Sequence, residues 1–422
     1  MQNKKHWLRC CLAFGWLFSW SAWAAPEITN IVCVQREGTK LVDITYDLAD
    51  LASAYLTVSI RISKDAGATW DVPCTSVSGN GIGAEVTPGT GKSIVWNAGI
   101  DWNRQWSDQV QVEITATTSL TQMKPYLVIN LLAGPDATTY PVTTLDAVPG
   151  SGWTDEYKTT KLVLRRVPAG TFTMGSPTGE LGRQADRESQ HQVTLTKDFY
   201  VGVFEVTQKQ WERVKANWPS YFSRPACRDA RPVEKVSYTD IRGSDLGTGW
   251  PANNAVDANS FMGLLRAKTG LIFDLPTEAQ WEYACRAGTE TALNSGKNLT
   301  NENNCSHMAE VGRYLYNNSD SNFNNSADTT KGTNKVGSYM ANQWGLYDMH
   351  GNVLEWCLDR WFASDYSTQP VIDPKGNTTG DQRANRGGYF ENGAARCRAA
   401  RREHRGYWDT SYMIGFRLVL VP

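Results

Sequence analysis

The stretch NQWGLYDMHGNVLEWCLD, residues 342–359, decides how the chain is read. Trp344, Leu346, Tyr347, Met349 and Trp356 crowd around Gly345 and Gly351. Apolar groups at this density must leave water, and the glycines allow turns that side-chained residues resist. The stretch therefore reads as a buried loop inside a large core. Seventeen tryptophans in 422 residues extend the same theme, as a loop-rich core or an aromatic binding surface.

On either side of this loop, short helices alternate with strands and polar loops from KLVLRRVPAGTFTMGS (161–176) onward. In VTQKQWERVKA, Thr207 and Gln210 have capping-box spacing, and in LPTEAQWEYACRAG Thr277 and Gln280 repeat it. Pro276 blocks helix upstream of the second box, and Gly288 closes that helix. DANSFMGLLRAKTG places Phe261, Leu264 and Leu265 on one helical face and ends at Gly270.

Near the C-terminus, RANRGGYFENGAARCRAARR (383–402) holds Cys397 among six arginines. It is open to three readings: a reactive thiol, a basic patch or a packed strand. The formal net charge of -1 argues against nucleic-acid binding. A reactive thiol needs an activating partner. The preferred reading is a packed strand bordering a cleft, with some arginines aimed at carboxylates such as Asp348 or Asp359.

Residues 26–118 have a different texture. LVDITYDL and LTVSIRIS alternate, and Val110, Val112 and Ile114 share one face, which predicts a small β-sandwich of immunoglobulin or fibronectin type. SKDAGATW (63–70) matches an Asp-box turn and is read as a structural brace. Residues 119–160 form a connector in which YLVINLLAG is expected as an edge strand. Residues 1–24 read as a signal peptide. Lys4, Lys5 and Arg9 precede a short apolar run, and Ala22-Trp23-Ala24 offers a cleavage site. The expectation is an exported protein, periplasmic, secreted or at the cell surface, with no membrane span. Export permits disulfides among the seven remaining cysteines, an odd number.

Seven segments in order, GTFTMGS, FEVTQKQW, RPVEKVSYTD, LPTEAQWEYACRAG, the 342–359 stretch, RGGYF and IGFRL, resemble the formylglycine-generating-enzyme or sulfatase-modifying-factor family. The resemblance runs from residue 161 to 422 and implies an irregular α+β fold of C-type-lectin type. It also implies where chemistry would lie. Family enzymes bind copper(I) through two cysteines shortly after the Arg-Gly-Gly segment, because copper(I) favours thiolates. Here positions 389–395 read YFENGAA, so copper is not expected. A second branch holds iron with histidines; His191, His307, His350 and His404 are scattered, and His191 and His350 are read as satisfying core hydrogen bonds. Calcium fits better, on Asp348, the carbonyls of Gly351 and Val353, and Glu355.

Expected disulfides are Cys285–Cys305, Cys357–Cys397 on strands that the family places side by side, and Cys33–Cys74 in the sandwich. By analogy with the family's substrate cleft, the ligand face comprises Tyr389, Phe390, Glu391, Asn392, Arg396, His404, Tyr407 and Trp408. Aromatic and polar groups together suit a peptide, protein or small-molecule ligand more than redox chemistry. The function implied is an exported binding module. The alternatives are a divergent formylglycine-generating oxidase and the variable protein of a diversity-generating retroelement. For the latter, Glu391 and Trp408 are poor products of adenine-directed variation in Asn codons.

Overall fold

A computed structural model describes residues 26–50, 56–118, 124–243, 255–318, 331–362, 368–377 and 380–420; the expected signal peptide lies outside the described residues. The chain divides into two compact units, Met1–Met123 and Lys124–Pro422.

The first unit is all β. One sheet has the order Glu27–Gln35, Leu41–Ala49, Gly89–Asn97, Val77–Ser78, and the other Gly83–Val86, Leu56–Ser63, Gln111–Thr118. Every pairing is antiparallel. Alternation in sequence becomes alternation in burial. Val42, Ile44, Tyr46 and Leu48 share one core with Leu56, Val58, Ile60, Val112 and Ile114. In the Asp-box, the Asp65 carboxylate accepts the Thr69 N–H at 2.7 Å and the Ser63 hydroxyl at 2.7 Å. These bonds brace the turn, as expected.

In the second unit a six-stranded sheet runs Phe273–Asp274, Val419–Leu420, Phe199–Gly202, Lys161–Val167, Tyr126–Asn130, Val142–Leu145. Tyr126–Asn130 belongs to what was expected to be a connector, and it is not an edge strand. It lies between Lys161–Val167 and Val142–Leu145. Residues 126–129 are all buried, so an apolar run without alternation goes inside the sheet.

The capping boxes form as read. Thr207 and Gln210 open helix Gln208–Lys215, and Thr277 and Gln280 open Glu278–Arg286. A third, Ser237 with Asp240, opens Tyr238–Arg242. Gly270 ends Phe261–Thr269 in the left-handed region at φ 74°.

The deciding stretch delivers its core. Leu354–Arg360 is a fully buried strand, and Met349, Leu346 and Cys357 sit in the central cluster beside Trp281. It pairs with Gln382–Arg386 on one side and Ile414–Gly415 on the other; Glu403–Gly406 extends that sheet. The RCRAARR segment departs from the expected strand, because Ala394–Cys397 is a 3-10 turn. The N–H groups of Ala394 and Ala395 are spent on the carbonyls of Asn303 and Glu302, at 3.0 and 2.7 Å.

Candidate functional site

The arginines of the C-terminal segment do not line a cleft. Arg398 is buried between Glu188, at 2.9 and 3.0 Å, and Glu180. Arg402 binds Glu278 through two nitrogens at 2.7 and 3.0 Å, and Arg386 binds Glu282 at 2.8 Å. Their hydrogen-bonded carboxylates come from the helix Glu278–Arg286 and the loop 180–188, and the Arg402 charge also acts on the buried Asp359. A buried guanidinium needs such a carboxylate, so these arginines serve as scaffold.

The expected calcium loop is a buried charged cluster. Glu355 gives both oxygens to Arg417, at 2.6 and 2.5 Å, and one of them also accepts the Trp281 indole N–H at 2.7 Å. Asp348 accepts the Gly337 N–H at 2.6 Å through Oδ2, while its Oδ1 is buried without a partner. Glu205, unforeseen in the sequence, joins them by accepting the Asn352 amide at 2.6 Å and the Val353 N–H at 3.2 Å. Burial pushes Glu205 well up, and the nearby Asp348 and Glu355 charges add to it. Burial likewise raises Asp348 to about 6, against the Gly337 N–H. Asp348, Gly351 and Asn352 all have left-handed backbone, at φ 56°, 78° and 60°. Among the described residues, no three His, Cys, Asp or Glu side chains are gathered to hold a metal by themselves.

His350 is fully buried and satisfied. Its Nδ1 lies 2.6 Å from the Cys397 carbonyl, and its Nε2 accepts the Asn294 N–H at 3.0 Å. Burial lowers its pKa to about 4, so the ring is neutral. His191 meets the Ser189 carbonyl at 3.1 Å.

None of the three expected disulfides is formed: Cys74, Cys227, Cys285, Cys305, Cys357 and Cys397 are thiols. The Cys74 thiol lies 3.3 Å from the Ile60 carbonyl. Cys285 and Cys357 belong to the central cluster, whereas Cys305 and Cys397 belong to another, so both predicted pairs span two clusters. Burial pushes the Cys397 thiol up to about 12, far from a nucleophile.

The proposed ligand residues divide. Phe390 and Asn392 are buried, correcting their assignment to the ligand face. Phe390 packs edge-to-face on Phe222 at 5.4 Å, and the Asn392 side chain caps the Tyr389 N–H at 3.2 Å. Tyr389, Glu391, His404 and Tyr407 are half-buried; Arg396 and Trp408 are exposed. Glu391 accepts the Tyr412 hydroxyl at 3.4 Å, and His404 stacks on Trp361 at 4.6 Å.

Trp408 opens onto a cleft of about 470 Å³. Its walls are Trp361 and Trp408, the acids Asp381 and Asp409, and the amide of Gln382. Gly380 and Gly406 also line it. It lies where Gln382 pairs with Gly406 at the end of two strands. Sequence reading found Trp408 but missed Trp361, Asp381, Gln382 and Asp409. Only the strand register brings those positions to Trp408.

The sulfatase-modifying factor enzyme 1-like domain matches residues 154–421. The formylglycine-generating enzyme of Mus musculus is 27% identical over 282 residues, covering 60% of this chain and 73% of that one. The formylglycine-generating enzyme of Streptomyces coelicolor is 29% identical over 287 residues, covering 60% and 87%. Among solved structures, Treponema denticola variable protein 1 superposes with a TM-score of 0.48 at 24% identity, over 62% of this chain and 96% of that one. With a domain match over well more than half of its length, the chain belongs to the sulfatase-modifying-factor family and carries its C-type-lectin-like fold.

Proposed function

We propose that the protein is an exported ligand-binding module built on this family domain. The observation that carries the reading is the contrast at the C-terminal face. Trp408 is 59% exposed beside a polar cleft, while Cys397, the cysteine of the Arg-rich segment, is buried and held protonated. Positions 389–395 contain no cysteine, so the thiolate pair required for copper(I) oxidation has no residues to form it. Exposed aromatic groups beside unspent polar ones favour contact with a ligand. Export follows from the basic, apolar and small-residue order of residues 1–24. Among the described residues, no helix is long and apolar enough to cross a membrane.

A calcium ion belongs to the same reading, seated beside Asp348 with the carbonyls of Gly351 and Val353. The orphaned Asp348 Oδ1, buried close to the Glu205 and Glu355 carboxyl groups, supports a hard cation there. Glu355, expected as a ligand, is instead spent on Arg417 and the Trp281 indole.

Peptide and glycan arrays probed with the purified protein test the binding function. Wild type retains a ligand that the Tyr407→Ala/Trp408→Ala double variant loses. Equal retention by both contradicts the assignment of the face.

A further inference from the structure

The cleft has one open aromatic platform rather than a cage. Trp408 is 59% exposed, whereas Trp361 is 7% exposed. Trp361 already carries the guanidinium of Arg402 at 4.6 Å, that of Arg187 at 5.6 Å, and the His404 ring at 4.6 Å. Arg402 is matched by Glu278, Arg187 by Asp186 and Arg405 by Asp409, so these guanidinium groups leave no free positive charge for an anionic ligand.

The polar groups suit hydroxyls. Among the described residues, neither the Asp381 carboxylate nor the Gln382 amide has a side-chain hydrogen-bond partner, and both are exposed in the cleft. A carboxylate accepts several O–H bonds, and an amide both donates and accepts, as a hydroxyl does. Either group can hold a ring hydroxyl. The platform is also fixed. A Cβ at Gly406 would lie 3.0 Å from the Trp408 indole, so glycine lets that ring settle on the backbone. Tyr407 meets it edge-on at 4.7 Å. The volume of about 470 Å³ falls within the roughly 300–1,000 Å³ range of small-molecule sites.

Resting on the ligand-binding reading, we infer that this cleft takes a neutral saccharide ring. The sugar's apolar face stacks on Trp408 and its hydroxyls bond to Asp381 and Gln382.

Titration calorimetry with maltohexaose, cellohexaose, xylohexaose and chitohexaose, and separately with decalysine, tests it. At least one oligosaccharide binds the full-length protein. Trp408→Ala weakens it at least tenfold and Asp381→Asn weakens it less, both with unchanged melting temperature. Gly406→Val, which displaces the platform without removing it, also weakens binding. If no oligosaccharide binds, or if binding is indifferent to Trp408→Ala, the inference is overturned. Decalysine binding that depends on Trp408, with no sugar binding, overturns the saccharide but leaves the ligand-binding module standing. Binding of neither class removes both.

Discussion

Arg417 and Glu355 form a fully buried two-point ion pair, with Nε to Oε2 at 2.6 Å and Nη2 to Oε1 at 2.5 Å. The pair ties the last strand region to the strand of the deciding stretch, and the Gly202 carbonyl accepts the third arm of Arg417 at 2.9 Å. Removing one partner strands the other charge in the core. Arg417→Met is expected to cost about 3–5 kcal/mol in denaturant unfolding of the second unit. Arg417→Met/Glu355→Leu recovers much of that loss. A single substitution that leaves the midpoint unmoved contradicts the pairing.

Glu234 predicts a pH dependence. Its carboxyl is buried and accepts the Tyr221 and Phe222 N–H groups at 3.0 and 2.9 Å, yet burial raises it to about 7. The folded state therefore holds a proton that the unfolded chain releases near its ordinary value of 4.5. Stability from this group is complete below that value and is lost as pH rises through 7, by on the order of 3 kcal/mol. Melting temperature should fall between pH 5 and 8 in wild type, and Glu234→Gln should flatten that part of the profile.

Thiol accessibility gives a direct count. Cys285, Cys305, Cys357 and Cys397 are fully buried, whereas Cys74 and Cys227 are partly exposed. Alkylation of the native protein should label Cys74 and Cys227 first. Peptide mass mapping without reduction should find no bridge linking Cys285 to Cys305 or Cys357 to Cys397. Either bridge would contradict the arrangement of the two core clusters.

The cation seat proposed at Asp348 predicts a stability linkage. A chelator should lower the melting temperature of the second unit, because an ion bound only by the native state stabilises it. Asp348→Asn keeps an acceptor for the Gly337 N–H and should abolish the calcium dependence. An identical transition of wild type with calcium and with chelator removes the ion from the account.

Local grammar was the readable part of this fold. Thr207, Thr277 and Gly270 specify helix ends through neighbours within four positions, and each is realised. The alternation of Val42, Ile44 and Tyr46 likewise survives, because one face of a sandwich strand is always buried. What escaped reading depends on distant partners. Glu205 meets Asn352 and Val353 across 147 and 148 residues, and Arg398 reaches Glu188 across 210. An arginine-rich run looks the same in sequence whether its partners are solvent or buried carboxylates. The alternation of Arg396 and Arg398 suggested a strand, but Asn303 and Glu302 claim the backbone donors first. The cleft was half visible for the same reason: Trp408 stands out by type, while Asp381 and Gln382 acquire meaning only from their register with Gly406.

The proposed function has this chain keep the family scaffold for binding and not for thiol oxidation. Its most direct test incubates the protein with copper(I), oxygen and a peptide containing the sulfatase Cys-x-Pro-x-Arg motif, with mass spectrometry for the aldehyde. The account predicts no aldehyde above a control without protein, since Cys397 is buried and residues 389–395 offer no second thiol. Turnover above that control, lost in Cys397→Ser, would contradict it and make the protein an oxidase.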